Sequence, residues 1–353
     1  MIKLVKHAWK EGLGESTRKK YGQHLDLLIE FVLNFQLLDK DGYVYIAVFT
    51  EECVMYFCGW LKQTKKQQPD SIRGTLCGIV SEFSSMGLPN PLHCTAGTMY
   101  PGLHRMLRGL KRAFGKPRRR RKGLTTDKLR KVVIHLQTRT DLSQWDKDTI
   151  ECCLILGVYL LLRIGEMVTK KVRVHNEQKN ACFGDIEFLP SKKRANFVQF
   201  HLRSSKTDPF REGCTLRAAA NGTRTCPVAA AKRMVRHRSG DNAAEALFKM
   251  SDGSFLTRER LQRHMRTSLA AVGLVPGYYA SHSLRIGGAT SLAACKDFGT
   301  DRIRVLGRWA SDCFLRYLRE TNLMLVQASR AMAAVGESEW TDLDEVQFNP
   351  DAE

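Results

Sequence analysis

One segment near the first third of the chain most limits how this sequence can fold. Residues 115–123 read GKPRRRRKG, with glycine at both ends, one proline, six Lys or Arg residues and no core-forming apolar residue. Such a segment cannot enter a hydrophobic core, because burying its charges would cost far more than its few apolar atoms return. We therefore predict an interdomain linker at residues 116–123, between an N-terminal domain over 1–115 and a second domain over 124–335.

The charge of the chain indicates an anionic partner. The 353 residues include 56 Lys or Arg and 36 Asp or Glu, which gives a net charge of +20. Residues 336–353 hold seven carboxylates and no basic residue, so we predict an acidic tail there, and residues 1–335 carry +27. This excess is spread over both halves of the chain. That distribution favours a surface that follows a long polyanion, above all nucleic acid, over an amphipathic membrane anchor.

Composition argues against several other classes of protein. The longest apolar run, Cys152 to Leu162, has 11 residues, whereas a membrane-spanning helix needs roughly 20. The N-terminus has neither the apolar core nor the cleavage site of a secretory signal. The eleven cysteines are scattered and form no CxxC pair. They therefore predict neither a disulfide framework nor a zinc site, and they indicate a reducing compartment.

Hydrophobic periodicity predicts a helical first domain and a mixed second domain. The first 115 residues contain four predicted helices and no strand. Beyond residue 124, short alternating runs predict strands between helices. The predicted elements there are helices at 126–137 and 149–162, strands at 183–189, 198–203 and 213–218, and helices near 227–238, 257–272, 283–295, 301–309 and 312–333. The expected fold class is mainly α with a small antiparallel β-sheet (α+β).

The fourth predicted helix has a strongly basic face opposite its apolar face. Solvation and phosphate contact both explain such a face, and the sequence leaves the two open. The neighbouring linker adds four arginines that would suit phosphates or a nuclear import signal. The candidate DNA-binding residues are Arg105, Arg108, Lys111, Arg112, Arg118, Arg119, Arg120 and Arg121.

Four separated segments of the second domain carry residues suited to chemistry. An apolar helix leads into LLRIGE at 161–166, and a polar turn, SSKTDP at 204–209, presents a lysine. The segment SHSLRIGG at 281–288 places a histidine and an arginine on one face of a helix. The last segment, LGRWASDCFLRYLR at 306–319, contains a tryptophan and a tyrosine. Each segment alone has an ordinary structural explanation, but their order and spacing together are much more specific.

Together these segments resemble the tyrosine recombinase family, the phage integrases and their relatives, which cut and rejoin DNA through a tyrosine. The ordered set of that family is Arg, Lys on a hairpin turn, His-x-x-Arg, His or Trp, and Tyr. The sequences of three segments are most similar to those of recombinases of eukaryotic mobile elements of the DIRS, Ngaro and Crypton kinds. These segments are SSKTDPFREG, SHSLRIGGAT and GRWASDCFLRYLR. The matching residues are Arg163, Lys206, His282, Arg285, Trp309 and Tyr317.

The resemblance implies a role for the charged members and for the nucleophile. Tyr317 would attack a phosphodiester, and a phenol needs help for this because its pKa is near 10. The guanidiniums of Arg163 and Arg285 would stabilise the phosphorane-like transition state with planar donors. Lys206 would act as general acid toward the leaving 5′ oxygen.

Three further residues receive supporting roles from the same resemblance. His282 would assist proton transfer with the tyrosine and contact the phosphate. Trp309 would form a hydrogen bond and pack beside the phosphate. Glu166 would orient the neighbouring catalytic groups without touching the substrate. No metal and no cofactor are expected.

The resemblance also implies an organisation and partners. The expected architecture is a helical core-binding domain followed by a tyrosine recombinase catalytic domain. The expected partners are duplex DNA recombination sites and three further copies of the chain in a synaptic homotetramer. The state away from DNA stays open, with a monomer as one option. A eukaryotic source would place the protein in the nucleus, and any other source in the cytoplasm with its DNA.

Two alternative functions share parts of this pattern. A type IB topoisomerase uses the same fold and the same tyrosine chemistry, but it relaxes one duplex as a monomer. A host-domesticated DNA-binding protein would keep the fold and no longer cut. The separate helical domain favours a recombinase over the first alternative. The complete catalytic set argues against the second, because a protein that only binds DNA does not need it.

Neutralising the linker should weaken binding to every DNA sequence alike. Replacing Arg118, Arg119, Arg120 and Arg121 with Gln removes charges that would release counterions from phosphates. We expect lower affinity for both specific and random duplexes and a shallower slope of log K against log salt concentration, measured by fluorescence anisotropy. An unchanged slope would remove the linker from the DNA interface.

Overall fold

The computed structural model describes residues 2–37, 50–117, 120–205, 208, 210–295 and 298–316. The chain separates into two compact units, Met1–Arg118 and Arg119–Glu353. The described residues are mainly helical, and they include one three-stranded antiparallel sheet. This confirms the predicted fold class.

The first unit is built from helices around one core. Helices α2 to α5 correspond to the four predicted from the sequence, and α1 was not predicted. Each of α2 to α5 contributes fully buried side chains, such as Phe31, Phe57, Ile72 and Leu103. The helices are α1 (Ile2–Glu11), α2 (Glu15–Asn34), α3 (Glu51–Gln63), α4 (Pro69–Ser85) and α5 (Pro101–Phe114).

A carboxylate at the start of α3 holds the start of α5. Thr50 caps α3, because its side-chain oxygen accepts a hydrogen bond from the backbone N–H of Cys53 at 3.3 Å. The next residue, Glu51, accepts a hydrogen bond from the backbone N–H of Leu103 at 2.8 Å. A negative charge is favourable at that position, because the first N–H groups of a helix have no partner within the helix. This contact fixes the helix that carries the basic face.

The second unit combines helices with the small sheet. The sheet order is β1-β2-β3, and both pairs are antiparallel. Val198, Phe200 and Leu202 alternate along β2 and face the core. The elements are α6 (Thr126–Thr138), α7 (Gln144–Tyr159), α8 (Ile164–Met167), β1 (Ile186–Leu189), β2 (Phe197–Leu202), β3 (Cys214–Ala219), α9 (Pro227–Arg236), α10 (Arg258–Ala271), α11 (Ser283–Ala293) and α12 (Thr300–Leu306).

Helix α7 is the central element of the second unit, and its bounds differ from the prediction of 149–162. It begins earlier, at Gln144, because Ser143 caps it by accepting a hydrogen bond from the backbone N–H of Asp146 at 3.1 Å. It ends earlier, at Tyr159, because Leu161 adopts the left-handed conformation with φ of +49°. Residues 160–163 therefore form a turn, where the sequence predicted the end of a helix.

Two buried carboxylates on α7 are matched by basic partners. Glu151 is fully buried, and it accepts hydrogen bonds from Arg224 at 2.6 Å and from Arg233. Asp148 lies one turn earlier and accepts a hydrogen bond from His237 at 2.8 Å. Buried charges are tolerated when they are paired and hydrogen-bonded in this way. The sequence did not predict this cluster.

Three smaller differences concern element bounds. The strand predicted over 183–189 begins with a 3₁₀ turn, Phe183–Asp185, where Asp185 accepts a hydrogen bond from the backbone N–H of Cys182 at 2.7 Å. The helix predicted over 301–309 ends at Leu306, and a turn follows it. Of the helix predicted over 312–333, the structure describes only a 3₁₀ segment, Asp312–Arg316.

Two findings concern the described residues as a whole. None of the described helices is long and apolar enough to cross a membrane. The cysteines whose side chains the structure describes are free thiols, and several of them, such as Cys152 and Cys153, are fully buried. Burial raises the pKa of the Cys153 thiol.

Replacing Gly288 with Ala should destabilise the second unit. A Cβ atom at this position in α11 would overlap the backbone oxygen of Val158 on α7 and the side chain of Leu161. A helical Gly-to-Ala change normally gains about 1 kcal/mol, but a clash with buried backbone costs about 1–3 kcal/mol beyond that gain. We expect a lower urea midpoint with an unchanged m-value.

The matched control for that variant is Gly277→Ala, since a Cβ atom at Gly277 would meet nothing within 4 Å. This variant should unfold at the midpoint of the unmodified protein. Equal midpoints for both variants would contradict the close approach of α11 to α7.

Candidate active site

The second unit brings together three of the four segments that the sequence analysis singled out. Arg163 and Glu166 follow α7, His282 and Arg285 lie at the start of α11, and Trp309 follows α12. The remaining members of the predicted catalytic set, Lys206 and Tyr317, lie outside the described residues.

The left-handed turn after α7 places Arg163 at the start of α8, where it precedes the first helical residue. Its backbone N–H donates to Oε2 of Glu166 at 2.8 Å, and its Nη1 donates to Oε1 of the same carboxylate at 2.8 Å. The Glu166 side chain is 5% exposed and that of Arg163 is 27% exposed. The carboxylate therefore holds one side of the guanidinium, while part of Arg163 stays open to solvent.

Arg285 is among the most buried charged side chains of the described residues, with 1% exposure. Its Nη1 donates to the carbonyl oxygen of Leu161 at 2.8 Å, and its Nη2 donates to the carbonyl oxygen of Gly307. The guanidinium carbon lies 4.4 Å from the centre of the Trp309 ring, a distance typical of a cation–π contact. One side chain thus connects the turn after α7, helix α11 and the segment after α12.

His282 lies at the exposed N-terminal edge of α11, three residues before Arg285. Its pKa lies below its ordinary value of 6.5, first because of partial desolvation and then because of the positive charges of Arg285, Arg163 and Arg258. His282 and Arg285 lie one helical turn apart at the start of α11, and the charge of Arg163 also acts on the imidazole. The imidazole is therefore neutral near pH 7 and able to accept a proton.

Trp309 belongs to a small apolar cluster of the second unit. Its ring stacks on Phe314 at 5.4 Å between centroids, and Ile303 and Ala289 belong to the same cluster. Gly307 allows this arrangement, since a Cβ atom there would overlap the indole ring. The contact of Trp309 with Arg285 supports the guanidinium from below, and its predicted contact with a phosphate stays a prediction.

A groove of about 840 Å³ extends from Arg163 and Glu166 along the surface of the second unit. Basic residues outnumber acidic residues in its lining. Sequence reasoning missed most of these cations, although the run TKKVR at 169–173 was a visible signal. The basic residues that line the groove are Arg163, Lys170, Lys171, Lys179, Arg211 and Arg258.

The loop between β2 and β3 is tied to one wall of this groove. Arg203 donates from Nε to Asp185 at 2.7 Å, and the hydroxyl of Ser204 donates to the carbonyl oxygen of Lys179 at 3.3 Å. Further along, Asp208 accepts a hydrogen bond from the backbone N–H of Gly213 at 2.9 Å. Ser204 and Asp208, on either side of the predicted lysine turn, both line the groove.

The candidate DNA-binding residues fall into two groups in the structure. Those of α5 are exposed, opposite the buried Leu103, Leu107 and Leu110 of the same helix. In the predicted linker, Arg121 donates to the carbonyl oxygen of Gly277 at 2.7 Å. The exposed cations of α5 are Arg105, Arg108, Lys111 and Arg112. Arg120 is exposed as well, and Arg118 and Arg119 lie outside the described residues.

The described residues contain no group of three or more His, Cys, Asp or Glu side chains that could hold a metal ion. The carboxylate that contacts Arg163 is that of Glu166, and its oxygens accept hydrogen bonds from arginines and from a backbone N–H. The partly exposed guanidinium of Arg163 can donate hydrogen bonds to an anion, and the neutral imidazole of His282 can accept a proton.

The fold is similar to those of solved tyrosine recombinases and integrases. The Tn1549 transposon integrase in complex with circular intermediate DNA is 14% identical, with 94% of this chain and 97% of that chain covered and a TM-score of 0.54. The same integrase in complex with transposon right end DNA is also 14% identical, with 94% of this chain and 98% of that chain covered and a TM-score of 0.56. The XerH site-specific recombinase bound to difH substrate is 14% identical, with 88% of this chain and 78% of that chain covered and a TM-score of 0.54. No protein-family model and no curated protein matches the chain.

The lowered pKa of His282 leads to a test of the charges around it. Arg258→Met removes one of the cations that disfavour the imidazolium, so the pKa should rise toward 6.5. An NMR titration of the His282 ring in the DNA-free protein measures this change. The exposed Arg266 on the same helix, changed to Met, is the matched control and should leave the pKa unchanged.

The lowered pKa of His282 also makes the stability of the native protein depend on pH. In the native protein His282 binds fewer protons than in the unfolded chain, so its contribution to stability is present above pH 6.5 and is lost as the pH falls through the native pKa. A His282 pKa above 6.5 in the unmodified protein would contradict the described site.

Proposed function

We propose that this protein is a site-specific DNA recombinase that cuts duplex DNA through Tyr317 and rejoins the ends without metal or ATP. The observation that carries the proposal is the meeting of two arginines from distant segments at one turn. Arg163 follows that turn, and Arg285 binds its Leu161 carbonyl oxygen at 2.8 Å. Beside them lies a neutral histidine, and a cationic groove leads away from Arg163.

The solved structures of similar fold support the choice of substrate. The integrase and the recombinase named above were both solved with DNA, and the second is a site-specific recombinase on its substrate. The integrase of that comparison belongs to a transposon. We propose by the same reasoning that the present chain serves a mobile element. The proposed homotetramer that would join two duplex sites comes from the resemblance of the sequence alone.

The first chemical step forms a bond between tyrosine and phosphorus. The phenolic oxygen of Tyr317 attacks the scissile phosphate, and its proton passes to His282, which is neutral near pH 7 because of its lowered pKa. Negative charge grows on the non-bridging oxygens during this attack. The guanidinium of Arg163 is fixed by Glu166 and is partly exposed, so it can stabilise that charge without reorganising. Arg285 holds the turn before Arg163, and its own contact with the phosphate is proposed from the family resemblance.

The same step breaks the bond between phosphorus and the 5′ oxygen. Lys206 gives a proton to that oxygen, so the products are a 3′-phosphotyrosyl ester and a free 5′ hydroxyl. The ester keeps the energy of the broken phosphodiester, and a 5′ hydroxyl from another strand can reverse the reaction. No nucleotide triphosphate is needed, consistent with a sequence that contains no GxxxxGK[ST] motif.

Binding of the duplex is assigned to the cations that lie outside the reacting centre. Lys170, Lys171 and Lys179 line the groove beside Arg163 and would follow the phosphates of one strand. The exposed basic face of α5 and the linker arginines would add contacts that do not depend on sequence. The affinity should accordingly fall as salt rises.

The two alternatives predict different products. A topoisomerase of the type IB class would form the same covalent ester but relax a single supercoiled plasmid. A domesticated DNA-binding protein would form no ester. Exchange of strands between two duplex sites distinguishes the proposed recombinase from both.

A nicked duplex should trap the covalent intermediate. The probe is a pool of duplexes with a randomised core and a nick just 3′ to each possible cleavage position, so that the short 5′-hydroxyl fragment diffuses away and the strands cannot rejoin. We expect an adduct that resists SDS and is sensitive to protease, and sequencing of the trapped DNA identifies the preferred site. Tyr317→Phe should abolish the adduct, since it lacks the attacking oxygen.

The matched control is Tyr278→Phe, which removes a phenol hydroxyl from another part of the catalytic unit. This variant should form the adduct at the normal rate. Adduct formation that persists in Tyr317→Phe, or no adduct with any member of the pool, would overturn the proposed function.

A further inference from the structure

Arg308 adopts a backbone conformation that is rare for its residue type. It lies between Gly307 and Trp309 with φ of +56°, in the left-handed region that favours glycine. Such a conformation costs free energy, and it persists only where surrounding contacts compensate. The contacts of the Arg308 side chain show what compensates here.

Arg308 reaches the same turn and the same carboxylate that organise Arg163. Its Nη2 lies 3.2 Å from Oε2 of Glu166 and 3.5 Å from the carbonyl oxygen of Leu161, and its Nη1 lies 3.3 Å from the carbonyl oxygen of Leu160. The side chain is 17% exposed. A turn at Gly307 and Arg308 is what directs this guanidinium back toward α7.

Glu166 therefore sits between two arginines. Its Oε1 accepts from Nη1 of Arg163, and its Oε2 accepts from the backbone N–H of Arg163 and from Nη2 of Arg308. The carboxylate is 5% exposed, so water contributes little to its charge balance. Without Arg308, Arg163 alone would balance this charge and would be held more tightly by it.

The Leu161 carbonyl oxygen is shared in the same manner. It accepts from Nη1 of Arg285 at 2.8 Å and lies 3.5 Å from Nη2 of Arg308. A displacement of Arg308 would thus move the turn on which Arg285 depends. Through Glu166 and through Leu161, one side chain acts on both arginines of the proposed transition-state contact.

We propose that Arg308 is a positioning residue for the cleavage step. It holds Glu166 and the 160–163 turn, and through them it fixes Arg163 and Arg285 in the geometry of the proposed cleavage site. This inference rests on the proposed function, because it concerns the geometry of that reaction. It assigns Arg308 no contact with DNA.

The first test compares three variants on the trapped site from the nicked pool. Arg308→Met keeps the length of the side chain and removes its charge, so single-turnover cleavage should fall about 100-fold through misplacement of the two arginines. Arg308→Lys keeps the charge but has no planar fork, and it should recover part of that loss. DNA affinity should stay within about twofold, because the guanidinium of Arg308 is engaged by Glu166 and by the carbonyl oxygens of Leu160 and Leu161.

Arg304→Met is the matched control. Arg304 lies on α12, one turn before Arg308, is 45% exposed and pairs with Asp312 at 3.6 Å, away from Glu166. Its loss should leave cleavage within about twofold of the unmodified protein, as expected for an exposed ion pair. A DNA affinity that falls in parallel with cleavage in Arg308→Met would overturn the proposal, because Arg308 would then be a DNA contact.

The second test is a double-mutant cycle with Glu166→Gln. If Arg308 acts through Glu166, removing the carboxylate in the Arg308→Met background should change cleavage by less than about twofold, although Glu166→Gln alone should lower it about tenfold. Rates that simply multiply would show independent action and would overturn the proposal.

A third readout does not depend on cleavage. Thermal unfolding of the same four proteins should show coupling between Arg308 and Glu166, because the pair is nearly buried. Absence of coupling would overturn the role of Arg308 and leave the recombinase proposal intact. Coupling in unfolding without any covalent adduct from the unmodified protein would overturn the proposed function and the catalytic role of Arg308 with it.

Discussion

The buried guanidinium of Arg285 is the interaction on which the geometry of the site depends. A charge with 1% exposure is costly unless its donors are used. Here two donors bind the carbonyl oxygens of Leu161 and Gly307, and the Trp309 ring lies against the guanidinium face. Neither carbonyl belongs to a regular helix interior, so both turns must keep their irregular shape for the charge to stay satisfied. The contacts that stabilise this buried charge therefore also fix the geometry of the site.

Charge balance separates the core of the second unit from its groove. Inside, Glu151 meets Arg224 and Arg233, so buried negative charge is matched by nearby positive charge. Along the groove, the basic residues outnumber the acidic ones, and Glu166 is already engaged by arginines. Unmatched cations are tolerated there because water screens them. They are then available to a polyanion, which releases its own counterions on binding.

The environment of His282 favours its neutral form. Desolvation is the main cause of its lowered pKa, and the positive charges of Arg285, Arg163 and Arg258 lower the pKa further. A neutral imidazole beside cations can take a proton from a phenol, whereas an imidazolium could not. The cations that would attract the substrate therefore also contribute, after desolvation, to keeping His282 neutral.

Much of the fold and part of the site could be read from local sequence. The four helices α2 to α5, the small sheet and the helices of the second unit follow from periodicity, caps and turn residues, which act over a few positions. Missed features were α1, the early start of α7 and the matched carboxylates Asp148 and Glu151, whose partners lie far away in the chain. Order and spacing also brought Arg163, Glu166, His282, Arg285 and Trp309 into one candidate set.

The tertiary structure decided how those residues are held. Helix α7 ends because Leu161 adopts a left-handed conformation, so Arg163 lies at the start of α8. Arginines from distant segments bind the carbonyl oxygens of this turn and hold its shape. Arg308 has no distinguishing mark in the sequence, and its role emerges only from its contact with Glu166 across the fold. The sequence by itself determined which charged groups the chain possesses and in what order. Long-range hydrogen bonds, which no local pattern encodes, decided which of those charges are buried, which are paired and which face the groove.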